Sequence, residues 1–124
     1  MIRQGDIYWV ETEPPTASEP GYTRPYVVIQ NNVFNQSAIN TVVVCAITSN
    51  VRRADAPGNV LLTAGEGGLP KRSVVNVSQI LTLDKQLLGE HVGSLGGVRI
   101  HDILDGMRLV LDPREPPVDG PGRR

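Results

Sequence analysis

Residues 21 to 50 read GYTRPYVVIQNNVFNQSAINTVVVCAITSN, and this stretch decides the fold. It holds two apolar runs, Tyr26–Ile29 and Thr41–Ile47, dense in valine and isoleucine. Branched side chains suit a pleated surface, so both runs are expected as strands. Between them stand Asn31, Asn32, Asn35 and Asn40, residues that favour turns and short capped helical pieces. Arg24 stands where the first run begins, just before Pro25; Thr48, Ser49 and Asn50 stand where the second ends. If the strands are antiparallel neighbours, the start of one lies beside the end of the other. A guanidinium would then face hydroxyl and amide groups at one sheet edge. That grouping suits a phosphate, because arginine offers a rigid, permanently charged fork and hydroxyls complete the hydrogen bonding.

Working outward, residues 5 to 11, GDIYWVE, alternate as a strand does, with Ile7 and Trp9 on one face and Tyr8 and Val10 on the other. Residues 12 to 23, TEPPTASEPGYT, carry three prolines and read as a loop. It is long for a hairpin connection and ends beside Arg24, so it is either a lid over that residue or a plain surface loop. On the other side, Val51–Gly58 reads as a second loop carrying the adjacent Arg52 and Arg53, and Asn59–Thr63 as a short strand. The glycine-rich Ala64–Pro70 lacks the Gly-Lys-Ser/Thr ending of a phosphate-binding loop and reads as a turn. Ser73–Val77 and Ile80–Leu83 read as two further strands. Asp84 is placed to cap a helical turn through Leu88, and Glu90–Leu95 reads as an edge strand.

Residues 97 to 111 form the one clear helix, with Ile100, Ile103, Leu104, Met107 and Leu111 spaced along one face. Gly106 within it marks close packing. Residues 112 to 124 are proline, glycine and charge and read as a disordered tail, which leaves one domain over residues 1 to 111. Many short strands, glycine and proline turns and one late helix predict a mainly β fold with helical additions: a small barrel with a C-terminal α-helix.

The bulk numbers narrow the function. The chain has 124 residues, enough for one core without staples. Its single cysteine, Cys45, lies in an apolar run, which excludes an internal disulfide, fits a reducing cytoplasm and suggests a small buried hydrophobe. No segment reaches membrane-spanning length, and the first residues lack the apolar core of a signal peptide. The formal net charge is −1, so composition does not announce a nucleic-acid binder and any anion site must be local. Aromatic residues make up 4% of the chain, which allows a few stacked bases and no extended platform.

Five short motifs in order carry a resemblance. They are Gly5-Asp6-Ile7-Tyr8-Trp9; Arg24-Pro25 with Val28-Ile29-Gln30-Asn31; Ala46-Ile47-Thr48-Ser49-Asn50; Ser73-Val74-Val75-Asn76; and Gln79-Ile80 with Leu83-Asp84-Lys85. Together they resemble the MazF/PemK toxins across roughly residues 2 to 111. The resemblance implies an SH3-like barrel and a ribosome-independent, metal-independent endoribonuclease that cuts single-stranded RNA to 2′,3′-cyclic phosphate and 5′-hydroxyl ends. It also implies a homodimer with RNA across the dimer groove, and a cognate antitoxin that covers that groove. The implied type II toxin needs no cofactor and no membrane.

Within that frame the candidates can be weighed. Arg24 is either a structural arginine paired with Glu19 or Asp6, or the catalytic arginine that the resemblance assigns to its position. Arginine holds its proton too firmly to be a good base, so its expected role is electrostatic. Thr48 matches the family's second catalytic residue; the alternative is a plain strand-end threonine. Ser49 and Asn50 are candidates for binding. Glu19 matches an acidic residue of the family's loop, although Pro20 follows it where the family has other residues. Gln79 matches a polar position near the family's RNA site. Arg52 and Arg53, with Lys71 and Arg72, are either solvated loop charges or steer an RNA backbone. His91 and His101 lie in no motif with a partner and read as structural, and no cluster has metal-ligand spacing. Two rivals remain: a gyrase-blocking toxin of the related CcdB type, whose apolar C-terminal end is missing here, and a non-catalytic SH3-like binding module.

Overall fold

The computed structural model describes residues 1–13 and 22–114. Six strands run in chain order: β1 (Asp6–Glu13), β2 (Tyr22–Val28), β3 (Thr41–Thr48), β4 (Val60–Leu62), β5 (Ser73–Asp84) and β6 (His91–Ser94). One helical turn, α1 (Asn32–Asn35), links β2 to β3, and α2 (Gly97–Leu111) closes the described chain. The strands form one antiparallel sheet in the order β4-β5-β3-β2-β1-β6, curled into a half-barrel with α2 against it. This is the mainly β architecture with a C-terminal helix that the patterning predicts.

Local signals account for most boundaries. Asn31 Oδ1 accepts the Val33 N–H at 2.8 Å and starts α1, while Asp84 Oδ1 accepts the Gln86 N–H at 2.9 Å and starts a single 3₁₀ turn, Lys85–Leu87. Period-two alternation sorts the strand residues onto two faces. Ile7, Val27, Cys45, Ile47, Leu62, Val75 and Val77 share one cluster with Ile103 of α2. Val10, Tyr26, Val28, Val42, Val44 and Leu83 form a second cluster. Cys45 is fully buried, its thiol donates to the Asn76 carbonyl at 3.0 Å, and burial pushes its pKa up to about 12.

Three expectations are corrected. Residues 12 to 23 are not all loop, because Thr12 and Glu13 extend β1 and Tyr22 and Thr23 begin β2, with Glu13 paired to Tyr22. The expected lid therefore shrinks to residues 14–21, which lie outside the described residues, as does the expected tail from residue 115. Ser73–Val77 and Ile80–Leu83 are not separate strands but halves of β5, joined by a bulge: Cys45 pairs with Ile80, whereas the next residue, Ala46, pairs with Asn76. Three residues are thus looped out of the ladder, and Asn59 Oδ1 takes the Val77 N–H at 2.9 Å in its place. On α2, Ile103 is buried and Ile100 and Met107 pack on the core, but Leu111, in the last turn, is 65% exposed. Gly106 behaves as expected: a Cβ there would collide with the Gly58 carbonyl oxygen, so only glycine lets helix and loop touch.

Candidate functional site

The site is built where the ladder between β2 and β3 runs out. Their pairing covers Tyr26–Ala46, Val27–Cys45 and Val28–Val44. The Ile29 N–H donates to Val43 O at 3.0 Å, and by alternation the N–H groups of residues 27 and 25 face β3 in the same way. Residue 25 is proline, which has no N–H, so the pairing stops at Tyr26. Two residues further along that register, Arg24 comes level with Thr48, and alternation puts both on the face of Tyr26 and Ala46. The juxtaposition of Arg24 with the end of β3 expected from the sequence is therefore present, and Pro25 is what leaves the strands unzipped there.

Two clefts meet at this point. The larger, of about 510 Å³, is lined by Trp9, Arg24, Thr48, Ser49, Leu69 and Lys71 among others. The second, of about 420 Å³, is lined by Thr12, Arg24, Tyr26, Gln79 and Leu81 among others. Arg24 lines both, and Gln79 reaches its cleft because the β5 bulge turns it outward, where it is exposed. Among the described residues that line either cleft there is no carboxylate. The chain end of β3 fixes the hydroxyl: Thr48 Oγ1 accepts the Asn50 N–H at 3.1 Å. Accepting that bond leaves the Thr48 hydroxyl its one O–H to donate.

The remaining candidates fall elsewhere. The Asn50 side chain caps the 3₁₀ turn Val51–Asp55 by accepting the Arg52 N–H at 3.2 Å, and it lines neither cleft. Arg52 and Arg53 are exposed on that turn, close in sequence to Thr48 but outside both cleft walls. Glu19 lies outside the described residues. Asp6 is engaged at the other end of β1, where its carboxylate accepts the Arg3 N–H at 3.0 Å and the Ser94 hydroxyl at 2.7 Å. His91 lies 3.7 Å from Asp6, with its ring against Tyr8, and His101 is 77% exposed beside Asp105. No group of three or more metal-ligating side chains occurs among the described residues. Sequence reasoning missed Trp9 and weighed Lys71 as a loop or RNA-steering charge without placing it in the cleft, because their meeting depends on β1 and β5 being brought to the same end of the sheet. The available signal was the pairing of Thr48 with Val74, which places the residues just before β5 beside the end of β3.

With this geometry in hand, comparisons place the chain among known proteins. The family described as PemK-like, MazF-like toxin of type II toxin–antitoxin systems matches residues 3–111. The endoribonuclease MazF2 of Mycobacterium bovis is 43% identical over 112 residues, covering 90% of this chain and 98% of that protein. The endoribonuclease MazF6 of Mycobacterium tuberculosis matches at the same identity and coverage. Among solved structures, a mycobacterial endoribonuclease in complex with its cognate antitoxin superposes with a TM-score of 0.75 at 22% identity, covering 94% of this chain and 100% of that chain. MazF in a MazE–MazF crystal form from Deinococcus radiodurans gives a TM-score of 0.73 at 20% identity, covering 91% and 97%.

Proposed function

The chain belongs to the PemK-like, MazF-like toxin family and is an endoribonuclease toxin, and on that premise we propose that it cuts single-stranded RNA, sequence-specifically, at the unzipped end of β2 and β3. The observation that supports this reading is that Arg24 and Thr48 stand level across the gap on the wall of the larger cleft, with Arg24 also lining the second.

The chemistry follows from those two groups. The ribose 2′-oxygen attacks the adjacent phosphorus and loses its proton, a new 2′-oxygen–phosphorus bond forms, and the bond to the 5′-oxygen breaks. The 5′-oxygen gains a proton and leaves as a hydroxyl, and the phosphate remains as a 2′,3′-cyclic diester. Negative charge builds on the non-bridging oxygens during this exchange. The Arg24 fork and the Thr48 hydroxyl act as donors toward those oxygens. Internal attack consumes no water and needs no metal-activated nucleophile. Glu19 fits the resemblance as an acidic group that takes the 2′-proton or orients Arg24. Ser49, Asn50 and Gln79 belong to the same proposal as RNA-binding groups, with Arg52 and Arg53 as steering charges.

The partners are part of the proposal. The family's place in toxin–antitoxin systems supports a cognate antitoxin whose acidic segment competes with RNA for Arg24, with the toxin acting in the cytoplasm as a homodimer. No described helix is long and apolar enough to cross a membrane. The test is incubation of the purified protein with a long single-stranded RNA in EDTA, followed by mapping of the new ends. Cyclic phosphate and 5′-hydroxyl ends at a recurring motif are expected. Cleavage that stops in EDTA and returns with Mg²⁺ would sink the metal-free mechanism. Light scattering gives the mass that decides the dimer.

A further inference from the structure

The larger cleft holds two groups that the cleavage chemistry leaves unused, an indole and an ammonium. Trp9 is the chain's single tryptophan and is half-buried in the cleft wall. Its backbone is held on both sides, paired across β1–β2 with Pro25 and bonded on the far side through Trp9 N to Glu90 O at 2.9 Å and Gly89 N to Trp9 O at 2.8 Å. The ring is therefore carried on a strand that cannot shift, which spares it an ordering cost on binding. Lys71 lines the same cleft from the turn that leads into β5, where its carbonyl accepts the Ser73 hydroxyl at 3.0 Å. That turn is anchored from behind: Arg99 of α2 grips Glu66 through two bonds of 2.8 Å, and Leu69 N donates to Glu66 O at 3.0 Å. Arg24 and Lys71 are the charged groups on the described wall of the cleft, and both are cations.

We propose that this cleft is a nucleotide subsite, in which Trp9 stacks on the base adjoining the scissile phosphate and Lys71 pairs with a neighbouring phosphate. The inference rests on the endoribonuclease reading and adds the residues that seat the substrate beside the reacting bond. An aromatic face with a cation at its margin is the chemistry that holds a base of single-stranded RNA, whatever its identity, because every base offers a π-face. One indole suits one base, in keeping with a chain of 4% aromatic content. Thr48 and Arg24 line the same cleft at the end of the sheet, so a base seated on Trp9 lies in the same cleft as the two groups that meet the scissile phosphate.

The single tryptophan makes the test direct. The probe is a short single-stranded RNA containing the mapped cleavage motif, with a 2′-deoxy sugar at the scissile position so that it binds without being cut. Titrating it into the full chain should quench or shift Trp9 emission along the same curve as binding followed by anisotropy of a labelled RNA. With cleavable RNA, Trp9→Leu should raise KM about tenfold or more with kcat little changed, while Trp9→Phe keeps most of the affinity. Lys71→Gln should flatten the dependence of log affinity on log salt by about 0.7, and Lys71→Arg should restore it. Should Trp9→Leu fail to fold, the emission titration of the unsubstituted protein decides alone. RNA that is bound and cut normally while the emission stays still would overturn this inference and leave the proposed function standing. Emission that moves only when the antitoxin is added would overturn it too, giving the cleft to the protein partner. A protein that neither binds nor cuts RNA would overturn both readings.

Discussion

The two ends of the sheet are built on opposite rules. Behind the sheet, α2 and the glycine-rich turn are locked by contacts that leave no slack. The Glu66 carboxylate takes a two-pronged bond from Arg99 and the Thr63 N–H and hydroxyl at 2.9 Å each, and the Gly106 backbone rests on the Gly58 carbonyl. At the cleft end, Pro25 withholds a ladder bond and β2 and β3 part, leaving hydroxyls and cations facing a gap. The first region spends its polar groups on one another. The second sets its cations and hydroxyls along the walls of a cleft. The difference teaches how a small domain keeps a reactive edge open without losing its shape: the closed side holds the turn before β5 in place, and that turn forms one wall of the open side.

The sharpest way to break this comparison is to remove a donor from the open end. Arg24→Ala and Thr48→Ala should each lower kcat by roughly 10² to 10³ while the melting temperature stays near that of the unsubstituted protein. A loss of activity that tracks a loss of folding would show that Arg24 belongs to the closed kind of structure. The next largest effect belongs to the closed end. Gly106→Ala drives a methyl into the Gly58 carbonyl and should cost about 1 to 3 kcal/mol of unfolding free energy in a urea titration. Cleavage well below the melting temperature should then change much less than stability does; an equal fall in both would dissolve the division between the two ends.

A smaller effect sharpens the comparison through pH. The hydrogen bonds from Arg99 hold the Glu66 carboxyl far below its ordinary value of 4.5, at about 2. A depressed carboxylate stabilises the fold fully above its unfolded pKa, and that contribution is lost as pH falls through the folded one. Glu66→Gln should therefore cost about 1 kcal/mol near neutral pH, the side chain being 24% exposed and the pair partly screened. The gap between variant and parent should close as pH drops from 4.5 toward 2, and a gap that stays constant over that range would show that the ionised fork contributes nothing. Smallest of all, removing residues 115 to 124 should move the melting temperature by no more than a degree or so, because Val118 is the one branched apolar side chain in that stretch. A large drop would mean that the segment docks on the folded domain.

Much of this was readable before any coordinates, and the reasons are physical. The helix of residues 97 to 111 announces itself by spacing, and the Asn31 and Asp84 caps by side-chain chemistry, since both signals are local. Arg24 and Thr48 came together because adjacent antiparallel strands need only a short connection. The bulge in β5 was illegible: Ser78 and Gln79 look like a turn in the sequence, and nothing local says that three residues can leave the ladder while the strand goes on. Trp9 was missed, and Lys71 was weighed as a steering charge but not placed beside it, for a related reason. Residues 62 positions apart meet only through the order of strands between them, which no local pattern encodes. Leu111 follows the helical spacing yet is exposed, because spacing tells which residues share a face and not how far along the helix that face is covered.

Cys45 offers a last consequence, and it is a practical one. The chain's single thiol has no exposed surface and a pKa of about 12, so at neutral pH it presents essentially no thiolate to an alkylating reagent. A new cysteine on the surface, such as Ser49→Cys, would therefore take a dye selectively with the native thiol left in place. The same silence can be turned into a measurement. Cys45 lies in the middle of β3 with strands on both sides, so it becomes reactive only when the sheet itself opens. Its slow alkylation under native conditions reports how often the centre of the molecule comes apart.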